Sequence, residues 1–142
     1  MNLTTKGINA ISAMLFLATQ ESLKEPISLV VIANKLNLSK LYLEQIFSIL
    51  KKEQLICSKK GPTGGYQLQK KANQINLFEI IKATEPNWFY QKKEISNKDS
   101  IEILITNHIL EQLNNSIIQQ LSNITLDQLL LLFPNNCDMY YI

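Results

Sequence analysis

Among its 142 residues the chain has no arginine, a single histidine and only two cysteines. Without a guanidinium fork, any phosphate it holds must be met by lysine, which acts as a point charge. Cys57 and Cys137 lie far apart in sequence, and in a chain expected in the cytoplasm they argue against a structural disulfide. Two isolated thiols fall short of a zinc site. Glycine and proline are scarce, four of each, while 46% of residues are hydrophobic and 18% charged. That composition excludes a disordered chain and fits a packed one. The longest apolar runs, such as LLLLF at 129–133, are far too short to span a bilayer, so no membrane partner is expected. The opening MNLTTKGINA lacks the basic stretch, apolar core and small-residue cleavage site of a secretory signal, which leaves the cytoplasm as the expected location. No triad, carboxylate pair or ligand cluster stands out, so nothing supports an enzyme. No repeat or low-complexity segment appears.

What the chain does have is lysine, unevenly placed. Residues 1–83 carry eleven Lys against five Glu, a net +6; residues 84–142 carry three Lys against seven acids, a net −4. A basic front and an acidic back suggest that only the front meets a polyanion.

Thr4 or Thr5 is expected to cap a first helix running to about Gln20, with Ile8, Ile11, Leu15 and Ala18 facing the core. Residues 21–26 form a linker that Pro26 keeps from continuing as helix. Ser28 then caps a short helix with Leu29, Ile32, Ala33 and Leu36 on one face, and Asn37 breaks it. Ser39 caps the next helix, to about Glu53, with Leu43, Ile46, Phe47 and Leu50 inward. Two helices joined by so short a turn make a helix-turn-helix pattern over about 28–52. By itself that pattern suits an ordinary amphipathic helical hairpin better than a DNA reader. Lys40, Leu41, Glu44 and Gln45 point outward near the start of the second helix, with Tyr42 at the edge.

The hairpin that follows decides between those readings. Residues 55–57 and 66–68 read as two short strands around SKKGPTGG, giving a wing over about 55–70. Gly61, Gly64 and Gly65 allow positive φ or close backbone approach, and Pro62 stiffens the loop. Lys59 and Lys60 put charge at its base, within reach of phosphates or a minor groove. A phosphate-binding loop is excluded by spacing, because GPTGGY matches neither glycine fingerprint and opens no helix.

Asn76 caps a further helix as a capping box with Glu79, and Glu85–Pro86 ends it. Residues 87–97 place three aromatics in a row and read as a loop packing on the core, the alternative being part of a regulator site. From Lys98 or Asp99 to about Leu121 runs the longest helical pattern, with Ile101, Ile105, Ile109, Leu113, Ile117 and Leu121 at every fourth position. So wide an apolar stripe in so small a chain calls for a partner helix from a second subunit. His108 beside that stripe reads as a partly buried structural residue. Thr125 and Gln128 frame a last short helix with Leu126, Leu129, Leu130 and Leu132, stopped by Pro134. The fold class is thus mainly α with a small β-hairpin. A winged helix-turn-helix domain fills 1–85; a linker, a long dimerisation helix and a short C-terminal helix fill 86–142.

These residues resemble the Rrf-two family of bacterial transcription regulators, which includes iron–sulfur cluster regulators and cysteine-metabolism repressors. The resemblance rests on LTTKGINAI (3–11), on ISLVVIANKLNLSKLYLEQIFSILKKEQLICSKKGPTGGYQL (27–68), on INLFEIIKATE (75–85) and on SNITLDQLL (122–130). It implies a homodimeric regulator of double-stranded DNA, expected to be a repressor at a pseudo-palindromic operator. It also implies that Ser39, Lys40, Tyr42, Glu44 and Gln45 approach the major groove. The wing from Lys59 through Lys60, Gly61, Pro62, Thr63, Gly64 and Gly65 to Tyr66 approaches the minor groove. Cluster-binding relatives carry three cysteines before and on the long helix; here residues 84–107 have none, and His108 alone occupies a ligand position. One ligand cannot hold a cluster, so no cofactor is expected. The chain is similar to cluster-free members, whose signal comes through a regulatory protein, a small-molecule effector or a thiol. Two alternatives of other kinds remain open at this point: a module docking a partner enzyme, and a redox sensor using Cys57 or Cys137.

Overall fold

The computed structural model describes residues 3–92, 94 and 100–132. Six α-helices and one two-stranded hairpin follow each other there as α1 (Thr5–Thr19), α2 (Leu29–Leu36), α3 (Lys40–Lys52), β1 (Ile56–Lys59), β2 (Gly65–Leu68), α4 (Leu77–Thr84), α5 (Ile101–Ser122) and α6 (Leu126–Leu131). Single 3-10 turns sit at Glu21–Leu23, Ala72–Gln74 and Pro86–Trp88.

α1 is the central pillar. Thr4 caps it by accepting from Gly7 N, and Ala10, Ala13, Met14 and Phe16 are wholly buried because α2, α3, α4, α6 and β2 all pack around it. A helix covered on so many sides does not show one apolar stripe. The inward placement expected for Ile8 is therefore corrected: Ile8 is half exposed, and small alanines take the closest approaches instead.

The hairpin is antiparallel, with Ile56 opposite Leu68 and Lys59 opposite Gly65. The strands are longer toward the tip than the expected 55–57 and 66–68, so Lys59 and Gly65 belong to the ladder and residues 60–64 form the loop. Ile27, just before α2, adds a short third lane: its N–H donates to Tyr66 O at 2.9 Å and its carbonyl accepts from Tyr66 N at 2.8 Å.

The expected boundary at residue 85 does not divide the core. Leu126 of α6 is fully buried, and its N–H donates to Ile75 O at 2.9 Å; Leu77 N donates to Ile124 O at 2.9 Å. The chain after α5 returns to the first domain, and α6 packs against α1 and the turn Ala72–Gln74. Thr125 N donates to Gln128 Oε1 at 3.2 Å, as the capping box requires. Leu132, expected within this last helix, is its C-terminal cap and is mostly exposed. Pro134 and Cys137 lie outside the described residues, as do the expected helix starts Lys98 and Asp99.

The aromatic segment packs as expected for its described part. Phe89 is buried edge-on to both Phe78 (5.1 Å) and Trp88 (5.3 Å). Tyr90 N donates to Asn114 Oδ1 at 2.9 Å, and the Tyr90 hydroxyl donates to Asn107 Oδ1. These polar pins fasten α5 to the loop before it, and they explain why Asn107 alone among the α5 residues is buried.

Candidate nucleic-acid interface

The turn between α2 and α3 is set by Asn37, whose left-handed φ of 54° lets Leu38 N reach back to Ala33 O at 2.9 Å. Asparagine tolerates that conformation at modest cost. Ser39 then caps α3, its hydroxyl accepting from Tyr42 N at 3.2 Å. The α3 residues Leu43, Ile46, Phe47 and Leu50 are buried, which turns Lys40, Leu41, Glu44 and Gln45 to solvent. Tyr42 is half-buried and packs against the core, so it offers an edge and not a whole side chain. Leu41, which the sequence alone did not single out for contact, is 69% exposed. A bare leucine there suits contact with a thymine methyl.

α3 is bolted to the wing. The Phe47 ring meets the Tyr66 ring edge-on at 4.8 Å and 72°, and Lys51 Nζ donates to Ser58 Oγ at 2.6 Å. Tyr66 is thereby a fastening residue, half-buried against α3. Lys59, Lys60, Gly61, Pro62 and Thr63 are exposed at the tip, while Gly64 and Gly65 are partly covered. Gly61 has φ +111°, and Gly64 N closes the loop onto Gly61 O at 3.0 Å. A Cβ on Gly64 would lie 2.3 Å from Lys59 O, so the narrow tip itself demands glycine there.

Lys40, Lys51, Lys52, Lys59 and Lys60 are all exposed, and none forms an ion pair with a described residue. Lys51 Nζ is held by Ser58 Oγ, and none of the five has to leave a described carboxylate to meet phosphate. A lysine held by a neighbouring carboxylate would have to give up that pair first.

On α5, Ile101, Ile105, Ile109 and Leu113 are each more than half exposed, whereas Ile117 and Leu121 pack against the chain's own core. The predicted stripe therefore splits in two, a free N-terminal half and an anchored C-terminal half. His108, expected to be partly buried, is exposed, with Gln112 Nε2 at 2.7 Å from its Nε2. It lies on the side of the helix that the core does not cover.

A helical pair in front of a glycine-tipped, lysine-bearing hairpin, with a long helix appended, defines a winged helix-turn-helix of the regulatory class. The chain belongs to the Rrf2 family, described as iron-dependent transcriptional regulators, which it matches over residues 3–131. It is 44% identical over 85 residues to the HTH-type transcriptional regulator IscR of Cronobacter sakazakii, covering 60% of this chain and 52% of that protein. The match thus spans about half the length of such curated relatives. Among solved structures it is similar to T. potens IscR (TM-score 0.71, 32% identity, 92% of this chain and 86% of the other). It is likewise similar to CymR, the global cysteine regulator of B. subtilis (TM-score 0.72, 28% identity, 91% and 95%).

The family's iron dependence finds no fitting donor set among the described residues. Among the described residues no three His, Cys, Asp or Glu side chains converge. Cys57 is half-buried in β1 opposite Gln67, and His108 is carried on α5.

Proposed function

We propose that this chain is a sequence-specific regulator of transcription that binds double-stranded DNA as a homodimer in the cytoplasm and represses by occupying a pseudo-palindromic operator. The observation that carries the reading is the exposed, ion-pair-free lysine set on α3 and the wing, flanking the outward Glu44 and Gln45. Lys40, Lys51, Lys52, Lys59 and Lys60 supply affinity that is blind to sequence. Glu44 accepts from a cytosine amino group, and Gln45 pairs with adenine. The free half of α5 takes its counterpart from a second copy, because an exposed apolar row of that length marks an interface. Two recognition helices then face half-sites about one helical turn, ~34 Å, apart. No iron–sulfur cluster takes part; the signal arrives through a regulatory protein or a small molecule.

Selection of bound fragments from random duplex DNA tests this. Enrichment of a two-fold-symmetric sequence with half-sites about 10 base pairs apart is expected. An unenriched pool, or a lone half-site, contradicts it.

A further inference from the structure

A groove of about 710 Å³ lies where the DNA-reading and subunit-pairing parts of the chain meet. Ile49 and Lys52 reach it from the last turns of α3, Phe78 and Lys82 from α4, Phe89 from the aromatic segment and Ile118 from α5. Lys6 of α1 closes one side. Its volume falls in the range of small-molecule pockets.

The lining has two chemical halves. Ile49, Phe78, Phe89 and Ile118 form an apolar floor, with the two phenylalanine rings edge-on at 5.1 Å. Lys6, Lys52 and Lys82 edge it, against a single carboxylate, Glu53. None of the three lysines forms an ion pair with a described residue; Lys82 Nζ instead stands 5.6 Å from the Phe78 ring centroid. An excess of cations over an aromatic floor matches a molecule with an apolar body and one anionic end. A neutral apolar ligand leaves the lysines unused, and a compact polyanion leaves the rings unused.

We propose that this groove is the effector site, and that it takes an amphipathic monoanion, a carboxylate on an aryl or acyl body. The inference rests on the DNA-regulator reading above and gives its signal a place. A ligand seated there touches α3, which carries the recognition residues, and α5, which carries the pairing residues. Any difference in its contacts between two settings of those helices biases DNA binding.

Trp88 is the only tryptophan in the chain, and its indole meets Phe89 edge-on at 5.3 Å, so its emission reports on the groove. The test titrates the full-length protein with 4-phenylbutyrate and with its uncharged isostere, 4-phenylbutyramide. The same samples are assayed for duplex DNA binding by anisotropy. The acid is expected to shift Trp88 emission saturably and to change DNA affinity about fivefold or more. The amide is expected to bind about tenfold more weakly or worse, and K6A/K82A to reduce the acid to the amide's level. K24A, remote from the groove, keeps the parent's response.

Equal binding of acid and amide overturns the proposal, as does no binding by either, unchanged acid binding in K6A/K82A, or DNA affinity indifferent to the acid. A changed dimer equilibrium in K6A/K82A with unchanged acid binding makes the groove a subunit contact and overturns it too. A parent that binds DNA but ignores the acid sinks the groove alone. A parent that binds no duplex DNA sinks the reading beneath, while Trp88 emission still decides the groove.

Discussion

Ile27 and Tyr66 exchange two backbone hydrogen bonds, at 2.9 and 2.8 Å, and so tie the residue preceding the Ser28 cap of α2 to the wing. The approach is so close that a Cβ on Gly65 would lie 2.2 Å from Ile27 O. Gly65→Ala is accordingly expected to force the two backbones apart and to cost about 1–3 kcal/mol, the usual range for overpacking. Denaturant midpoints of parent and variant measure this, and an unchanged midpoint counts against the tie.

Glu44 is exposed near the start of α3, where its loss has no core to disturb. Glu44→Gln is expected to leave stability unchanged and to alter which base is preferred at one position of each half-site. The discrimination at stake is about 1–3 kcal/mol per good base contact. Competition among single-base operator variants reads it. A uniform change across all sequences would make Glu44 a bystander.

The two halves of α5 should respond differently to mutation. Ile105→Asp with Ile109→Asp puts charge on the free half and is expected to give monomers by sedimentation, with the fold of the single chain retained. Leu121→Ala removes packing from the chain's own core. It is expected to lower thermal stability instead, by about 2 kcal/mol or less because the side chain is only partly buried. Unfolding of the first variant, or its persistence as a dimer, would remove the assignment of that face.

Iron should be dispensable. Protein purified without oxygen is expected to show no cluster absorbance, and chelator is expected to leave its DNA affinity unchanged. A chromophore lost together with DNA binding would show that residues beyond the described ones complete a site.

Much of this was legible in the sequence, for a physical reason. Caps are local: Thr4, Ser28, Ser39, Asn76 and Thr125 each announce a helix within three residues of themselves. The wing declared itself through glycine, since three of four glycines fall within residues 61–65. What stayed hidden depends on contacts distant in sequence. Ile27 carries no strand signal of its own and pairs only because β2 arrives beside it. Ile8 fits a helical stripe, but α1 is buried by its small residues. Leu126 joins a core assembled more than a hundred residues earlier, around Met14 and Phe16. The split of the α5 stripe follows from which half of α5 packs against the core, which no period along α5 encodes.

The central claim is that α3 and the wing form a cationic, DNA-reading face, and anisotropy with random duplex DNA at two salt concentrations tests it most directly. The parent is expected to bind at low salt and weaken steeply as salt rises. K59A/K60A is expected to bind all sequences more weakly, with a log–log salt slope smaller by about 2, one for each lost phosphate contact. Salt-insensitive binding by the parent, or a slope unchanged in K59A/K60A, would contradict it and favour a module that docks a protein partner.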